Sequence, residues 1–304
     1  MLQLDTCSKS FRVGAFGTKE LIAVRDVSFD VRPGEVVSLI GESGSGKSTI
    51  GKMILRLLRT TGGAITYEGT DISTLGGRKL KEYYGDVQGV FQDPFSSYNP
   101  IFKASRVFTM LRSEYFSGLS SSEWRTKLDK AMEAVSLEPA EVLGQYPHQL
   151  SGGQLQRMLI ARALLLDIRL LIADEIISML DASTRIDVLN LLGELKSHGL
   201  GILFITHDLS LGNYISDETI ILRRGTIVER GATTKVFDNP VHPYTKMLLA
   251  SVPQLHTRWS DAAEELEGLV AAAGDGAMDG HVEVEARPLV QVEEDHFAAN
   301  GAGR

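Results

Sequence analysis

The sequence predicts an α/β fold around a parallel sheet, and three observations carry the prediction. The apolar run Val36 to Ile40 leads into Gly41-Glu42-Ser43-Gly44-Ser45-Gly46-Lys47-Ser48, which fits G-x-x-x-x-G-K-[ST] and opens a helix near Ser48. Four consecutive apolar residues, Leu170 to Ala173, read as a strand covered on both faces and end in Asp174-Glu175. Just ahead of that strand, Leu150-Ser151-Gly152-Gly153-Gln154 begins a helical stretch that reaches about Leu166.

The remaining elements follow in chain order. Ala23 to Phe29 partly alternates in polarity, as an antiparallel strand ahead of the glycine-rich loop would, and residues 64 to 72 continue that β region. From about Ser96 to Tyr146 the pattern turns helical, with segments around Phe102 to Phe116 and Ser122 to Val135. Strands at Arg169 to Ala173 and Gly201 to Thr206, separated by a helix from Ser183 to Ser197, rebuild an α/β core. Short strands at Thr219 to Leu222 and Thr226 to Glu229 follow. No internal repeat is visible, so one such unit is expected rather than two.

The residue types in the glycine-rich loop point to a nucleoside triphosphate. Glycines at 41, 44 and 46 let the backbone curl so that successive N–H groups face inward, and the helix that follows adds its positive dipole end. Lys47 supplies a compact cation for the β- and γ-phosphates, and the Ser48 hydroxyl suits Mg²⁺ bridging them. Asp174 is placed to hold Mg²⁺ through water, and Glu175 to orient or deprotonate the water attacking the γ-phosphate. A second anion-seeking helix start lies at Ser151, whose hydroxyl joins the N–H groups of Gly152 and Gly153.

With these motifs in place, roughly residues 1 to 253 resemble the ATP-binding-cassette ATPases. The resemblance implies a P-loop NTPase ABC cassette with an antiparallel β subdomain, a helical subdomain over about 96–166 that includes the signature, and a C-terminal appendage over 254–304. It implies that Ser43, Ser45 and Thr49 join the glycines, Lys47 and Ser48 around ATP. It also implies that Ser151, Gly152, Gly153 and Gln154 contact nucleotide held by a different subunit. Gln92, after the strand-like Val87 to Phe91, resembles the switch glutamine that touches Mg²⁺ and the attacking water. His207, after Gly201 to Thr206, resembles the switch histidine that hydrogen-bonds the γ-phosphate. Ser178 to Asp181 resembles the loop lining the subunit interface, with Asp181 communicating between sites. Phe11 resembles the aromatic that stacks on adenine, with Phe16 a competitor close in sequence. One departure is Ile176-Ile177, where the family usually has Pro-Thr, with Met179 where a small residue is common; losing the proline's fixed φ predicts a less rigid exit from the strand.

Composition limits the alternatives. The chain has 304 residues, 43% of them hydrophobic, enough for one large α/β domain with an appendage. Its most apolar region, Met158 to Leu180, is interrupted by Arg162, Asp167, Arg169, Asp174 and Glu175, so no span of a bilayer is expected. Leu4-Asp5-Thr6-Cys7 faintly resembles a lipoprotein cleavage site, but Asp5 and the missing apolar run argue against it. A single cysteine, Cys7, rules out an internal disulfide or a thiolate cluster. Residues 261 to 304 hold eleven Asp/Glu and two Arg, net −9, against −8 for the whole chain, so residues 1 to 260 total about +1. A near-neutral body predicts no nucleic-acid partner.

Two stretches narrow the resemblance to oligopeptide and dipeptide importer ATPases: Phe237 to Thr245 with Val252-Pro253, and Phe91 to Pro100, where Tyr98 stands in place of the usual Leu. The function implied is the ATP-hydrolysing subunit of an importer for peptides or similar small solutes, peripheral on the cytoplasmic face of the inner membrane. Its expected partners are a second ABC ATPase subunit, identical or related, two integral membrane permease subunits touching the region 95–144, and indirectly a solute-binding protein. The competing readings are a soluble, non-transport ATPase acting on nucleic acid or ribosomes, and a cassette that binds ATP without turnover. In the tail, residues 262 to 280 read as a linker, and Val282 to Glu285 with Leu289 to Val292 as a small hairpin or a disordered segment, with Pro288 to Phe297 similar to the family's terminal segment.

Overall fold

Two long strands, Leu2–Val13 (β1) and Lys19–Val31 (β2), open the chain in the computed structural model, which describes residues 1–13, 19–251 and 287–299. Val36–Ile40 (β3), helix Lys47–Ile54 (α1), Gly62–Tyr67 (β4) and Thr70–Asp71 (β5) follow. Then come Gly77–Asp86 (α2), Val87–Val90 (β6), Arg106–Tyr115 (α3), Ser121–Ala134 (α4), Pro139–Val142 (α5), Gly152–Leu164 (α6), Leu170–Asp174 (β7) and Ala182–Ser197 (α7). Gly201–Thr206 (β8), Leu209–Ile215 (α8), Glu218–Arg223 (β9), Thr226–Ala232 (β10), Thr233–Asp238 (α9), Pro243–Ala250 (α10), Leu289–Glu293 (β11) and His296–Ala299 (β12) complete it. The described residues form two compact units, one of 1–31, 36–73 and 204 onward, the other of 32–35 and 74–203.

The first unit holds an antiparallel sheet in the order β2-β1-β4-β5. Leu2, Leu4, Cys7, Val24, Val27 and Phe29 are buried along it. Strand β1 does not announce itself in the sequence, because its pairing with β2 shifts register between Leu4 and Cys7 and again up to Ser10, with Thr6 and Asp26 at positive φ. Bulges of this kind interrupt the two-residue period on which strand recognition depends. Cys7 is fully buried, its thiol pushed up to about 11 by desolvation, so it is an inert core group rather than a processing site.

The same unit pairs β3 in parallel with β9, and continues antiparallel through β10 and β12 to β11. In the tail Leu289–Glu293 pairs with His296–Ala299; the expected partner strand Val282 to Glu285 lies outside the described residues. What draws β12 into the sheet is a buried polar knot. The Glu229 carboxylate accepts from the backbone N–H groups of Val241 and His242, each at 2.8 Å, and stands 2.8 Å from His296 Nε2. Glu229 and His296 are both fully buried, and a buried carboxylate is tolerated only when its lone pairs are matched in this way.

In the second unit β6 and β7 pair in parallel, and every residue of β7 is buried, as its apolar run predicted. Helix α4 starts on a capping box, Ser120 with Glu123, and sets Trp124, Leu128 and Met132 inward. Helix α3 is shorter than the expected Phe102 to Phe116. Asn99 holds the chain in turns by accepting from Ile101 and Phe102, so helical geometry begins only at Arg106. Exposed Phe102 is instead covered by the Arg106 guanidinium, 3.9 Å from its ring centroid.

Candidate functional site

The loop after β3 is shaped by contacts that exclude side chains. A Cβ on Gly41 would stand 2.1 Å from the Leu222 carbonyl oxygen, and one on Gly46, where φ is 107°, would stand 2.5 Å from that of Ala23. Gly44 has φ 82° and faces open space. The Ser45 carbonyl accepts from Gly225 N–H at 2.8 Å, so the turn between β9 and β10 braces the loop from behind. Lys47 is only 5% exposed; its ammonium donates to the carbonyls of Gly41 at 2.6 Å and Glu42 at 2.7 Å. Ser43 and Ser48 are exposed, Thr49 half-buried and Ser45 buried. Helix α1 has Gly46 as its cap, with no side chain to accept from the first turn, whereas Ser120, Ser151, Asp181 and Asp208 cap α4, α6, α7 and α8. A curled loop, a nearly buried cation and an uncapped dipole end fit a polyphosphate.

His207 belongs to the same unit, exposed on the turn between β8 and α8. That turn is fixed on both sides, Asp208 N–H donating to Thr206 Oγ1 and Asp208 Oδ1 accepting from Ser210. Helix α8 packs directly on β3, for a Cβ on Gly212 would meet Ile40 Cδ1 at 2.6 Å. Phe11 lies half-buried in β1 with the Lys9 ammonium 5.0 Å from its ring centroid, and Phe16 lies outside the described residues.

The second unit carries the other expected residues. Asp174 closes β7 at 4% exposure, and Glu175 turns the chain sharply with φ 52°, a left-handed conformation costing on the order of 1 kcal/mol for a non-glycine residue. Ser178 donates to the Glu175 carbonyl from both its N–H and its hydroxyl, at 3.1 and 2.9 Å. Ile176 and Ile177 are buried. The exit from β7 is thus held by burial and hydrogen bonds where proline would have fixed φ.

Ser151 and Gln154 form a reciprocal capping box at the start of α6: the Gln154 N–H donates to Ser151 Oγ at 3.1 Å, and the Ser151 N–H to Gln154 Oε1 at 2.9 Å. The spacing S-x-x-Q announces it. Gly152 and Gly153 lie under the loop 178–181: a Cβ on Gly152 would meet Met179 Sδ at 3.2 Å, and one on Gly153 would meet Leu180 Cδ2 at 3.3 Å. Asp181 caps α7 through Thr184 N–H and accepts from the Ser183 and Thr184 hydroxyls, which hold its carboxyl far below the usual range. Gln92 is exposed, two residues beyond β6. Its approach is pinned by α6, Gln156 Nε2 donating to the Phe91 carbonyl at 3.1 Å and Arg162 to that of Gly89 at 2.9 Å. The Arg162 anchor, like Gly225 in the first unit, was not singled out by any motif in the sequence.

A strand, a glycine loop with a buried lysine and a helix in that order define a phosphate-loop nucleotide-binding protein. Within that class the chain belongs to the ABC transporter family, whose model matches residues 24–178, and it is an ATP-binding cassette. Residues 228–277 match the C-terminal region of oligopeptide/dipeptide transporters. The glutathione import ATP-binding protein GsiA of Salmonella choleraesuis (strain SC-B67) is 43% identical over 246 residues, covering 80% of this chain and 39% of the relative. Its counterpart in Shigella flexneri serotype 5b is 44% identical over 244 residues, 78% and 38% respectively. The chain thus spans about two fifths of the length of these curated relatives. Among solved structures, a dimeric post-hydrolysis state of the ATP-binding cassette MJ0796 bound to ADP and Pi has a TM-score of 0.70 at 28% identity, covering 77% of this chain and 99% of that one. An ATP-binding subunit of an ABC transporter has a TM-score of 0.65 at 25% identity, covering 88% and 99%. Among the described residues no helix is long and apolar enough to cross a membrane.

Proposed function

We propose that this chain is the ATP-hydrolysing subunit of an importer for peptides or similar small solutes. The observation that carries the reading is the braced glycine loop with its buried Lys47, joined to a C-terminal region matching oligopeptide/dipeptide transporters. Relatives named for glutathione import, whose solute is itself a small peptide, support the solute class.

In this reading residues 1–253 are the cassette, 96–166 its helical subdomain, and 254–304 an appendage. Gly41 to Thr49 grip the triphosphate, with Lys47 and the α1 dipole neutralising its charge. Ser48, Gln92 and Asp174 would hold Mg²⁺, which polarises the phosphates it touches. Glu175 takes or orients the proton of the attacking water, His207 hydrogen-bonds the γ-phosphate, and Phe11 stacks on adenine. Ser151, Gly152, Gly153 and Gln154 present their helix start to nucleotide on a second ATPase subunit, with Asp181 at the interface. ATP binding closes the pair and moves two permease subunits; hydrolysis releases it. The chain sits peripherally on the cytoplasmic face of the inner membrane, serves a solute-binding protein indirectly, and has no nucleic-acid partner.

The test is reconstitution with its permeases in vesicles. Solute uptake and ATP turnover both fall about 10²- to 10⁴-fold with Glu175→Gln, the range for losing a general base, while ATP binding persists. Turnover stimulated by nucleic acid in the absence of membranes would reject the transport reading, and turnover unaffected by Glu175→Gln would reject the catalytic assignment.

A further inference from the structure

Helix α10 reaches back to the phosphate loop through one hydroxyl. Tyr244 is 3% exposed, its ring packed in a cluster with Ile40, Leu209, Ile221, Val228 and Val236. Its Oη accepts a hydrogen bond from Glu42 N–H at 3.2 Å, and the carbonyl of that same Glu42 accepts from Lys47 Nζ at 2.7 Å. The backbone of Glu42 is therefore held through both its N–H and its carbonyl, by the tyrosine on one side and by the cation expected on the phosphates on the other. Tyr244 is itself fixed in place. His242 caps α10 by accepting from Tyr244 N–H at 3.1 Å, and the His242 and Val241 N–H groups are bound by the buried Glu229 carboxylate.

We propose that Tyr244 is a positioning residue for triphosphate binding, its hydroxyl holding the Glu42 peptide and thereby the curl of the loop and the stance of Lys47. The inference rests on the reading that residues 41 to 48 grip ATP. A loop with glycines at φ 82° and 107° loses much conformational freedom on binding unless something orders it beforehand. A phenylalanine would fill the apolar cluster as well as tyrosine, so the hydroxyl is the part that packing leaves unexplained.

The experiment is Tyr244→Phe in the full chain, with Lys47→Ala beside it. ATP affinity is titrated on the chain, KM and kcat are measured with the permeases present, and amide exchange is followed over 41–48 and 152–164. Tyr244→Phe is expected to raise Kd and KM about 3- to 10-fold, the range for one hydrogen bond, with kcat within about twofold. Exchange accelerates over 41–48 and stays as in the wild type over 152–164. Unchanged Kd, or unchanged exchange over 41–48, overturns the inference. If Tyr244→Phe does not fold, the Glu42 amide of the wild-type chain decides: slow exchange in NMR supports the brace, and free exchange refutes it. Wild-type ATP affinity in Lys47→Ala overturns the underlying reading of the loop, whereas loss in Lys47→Ala with none in Tyr244→Phe overturns only the role of the hydroxyl.

Discussion

Lys47 shows how a single residue type can be dictated by its surroundings. A cation buried to 5% exposure is costly unless its donors are matched, and the carbonyls of Gly41 and Glu42 match them. Replacing it with alanine removes a charge-assisted contact worth roughly 1.5–3 kcal/mol, so Lys47→Ala should weaken ATP binding about 10- to 100-fold by calorimetric titration. Gly46 is constrained by shape rather than charge. With φ 107° and a would-be Cβ 2.5 Å from the Ala23 carbonyl, Gly46→Ala combines backbone strain with a clash against rigid backbone. A loss of about 2–4 kcal/mol is expected in denaturant unfolding, and a loss under 0.5 kcal/mol would show that the loop adapts.

At the scale of elements, α10 illustrates a helix whose start is set by tertiary partners. Pro243 at the first turn favours a helix there, but His242, Glu229 and Tyr244 decide where it sits. Burial pushes the His242 imidazole down to about 4 from its ordinary 6.5. Because the folded chain binds this proton less readily than the unfolded one, stability is complete above pH 6.5 and declines as pH falls from 6.5 towards 4. Asparagine can cap the helix without titrating, so His242→Asn should flatten the dependence of melting temperature on pH between 7 and 4.5. An unchanged slope would place the titrating group elsewhere. The signature helix α6 follows similar logic, for Ser151 and Gln154 cap it while Gln156 and Arg162 tie it to the strand leading to Gln92.

For the whole molecule, the proposal that each chain lends its signature to another predicts complementation. Ser151→Arg should keep ATP affinity within about twofold yet abolish turnover, since a bulky cation would stand where the second subunit's nucleotide is bound. Lys47→Ala should be inactive for the opposite reason. If copies of this chain pair with each other, mixing the two makes about half of the pairs mixed, each with one of its two composite sites intact, so turnover should return to about a quarter of wild type. No gain on mixing would reject pairing between copies.

The glycine-rich loop, the strand ending in two carboxylates, the start of α6 and the family were legible in the chain alone, because each is written in contiguous residues whose spacing is fixed by local backbone geometry. The strands β7 and β8 were also legible, β7 as a strand covered on both faces, from short apolar runs bounded by polar residues or glycine. The remainder depended on contacts between distant parts of the chain. Strand β1 was hidden by bulges, Leu289–Glu293 found its partner in His296–Ala299, and Gly225, Tyr244 and Glu229 gained their meaning from neighbours far along the chain. A hydrogen bond between residues 42 and 244 leaves no local period or spacing to detect, since only folding brings its two ends together.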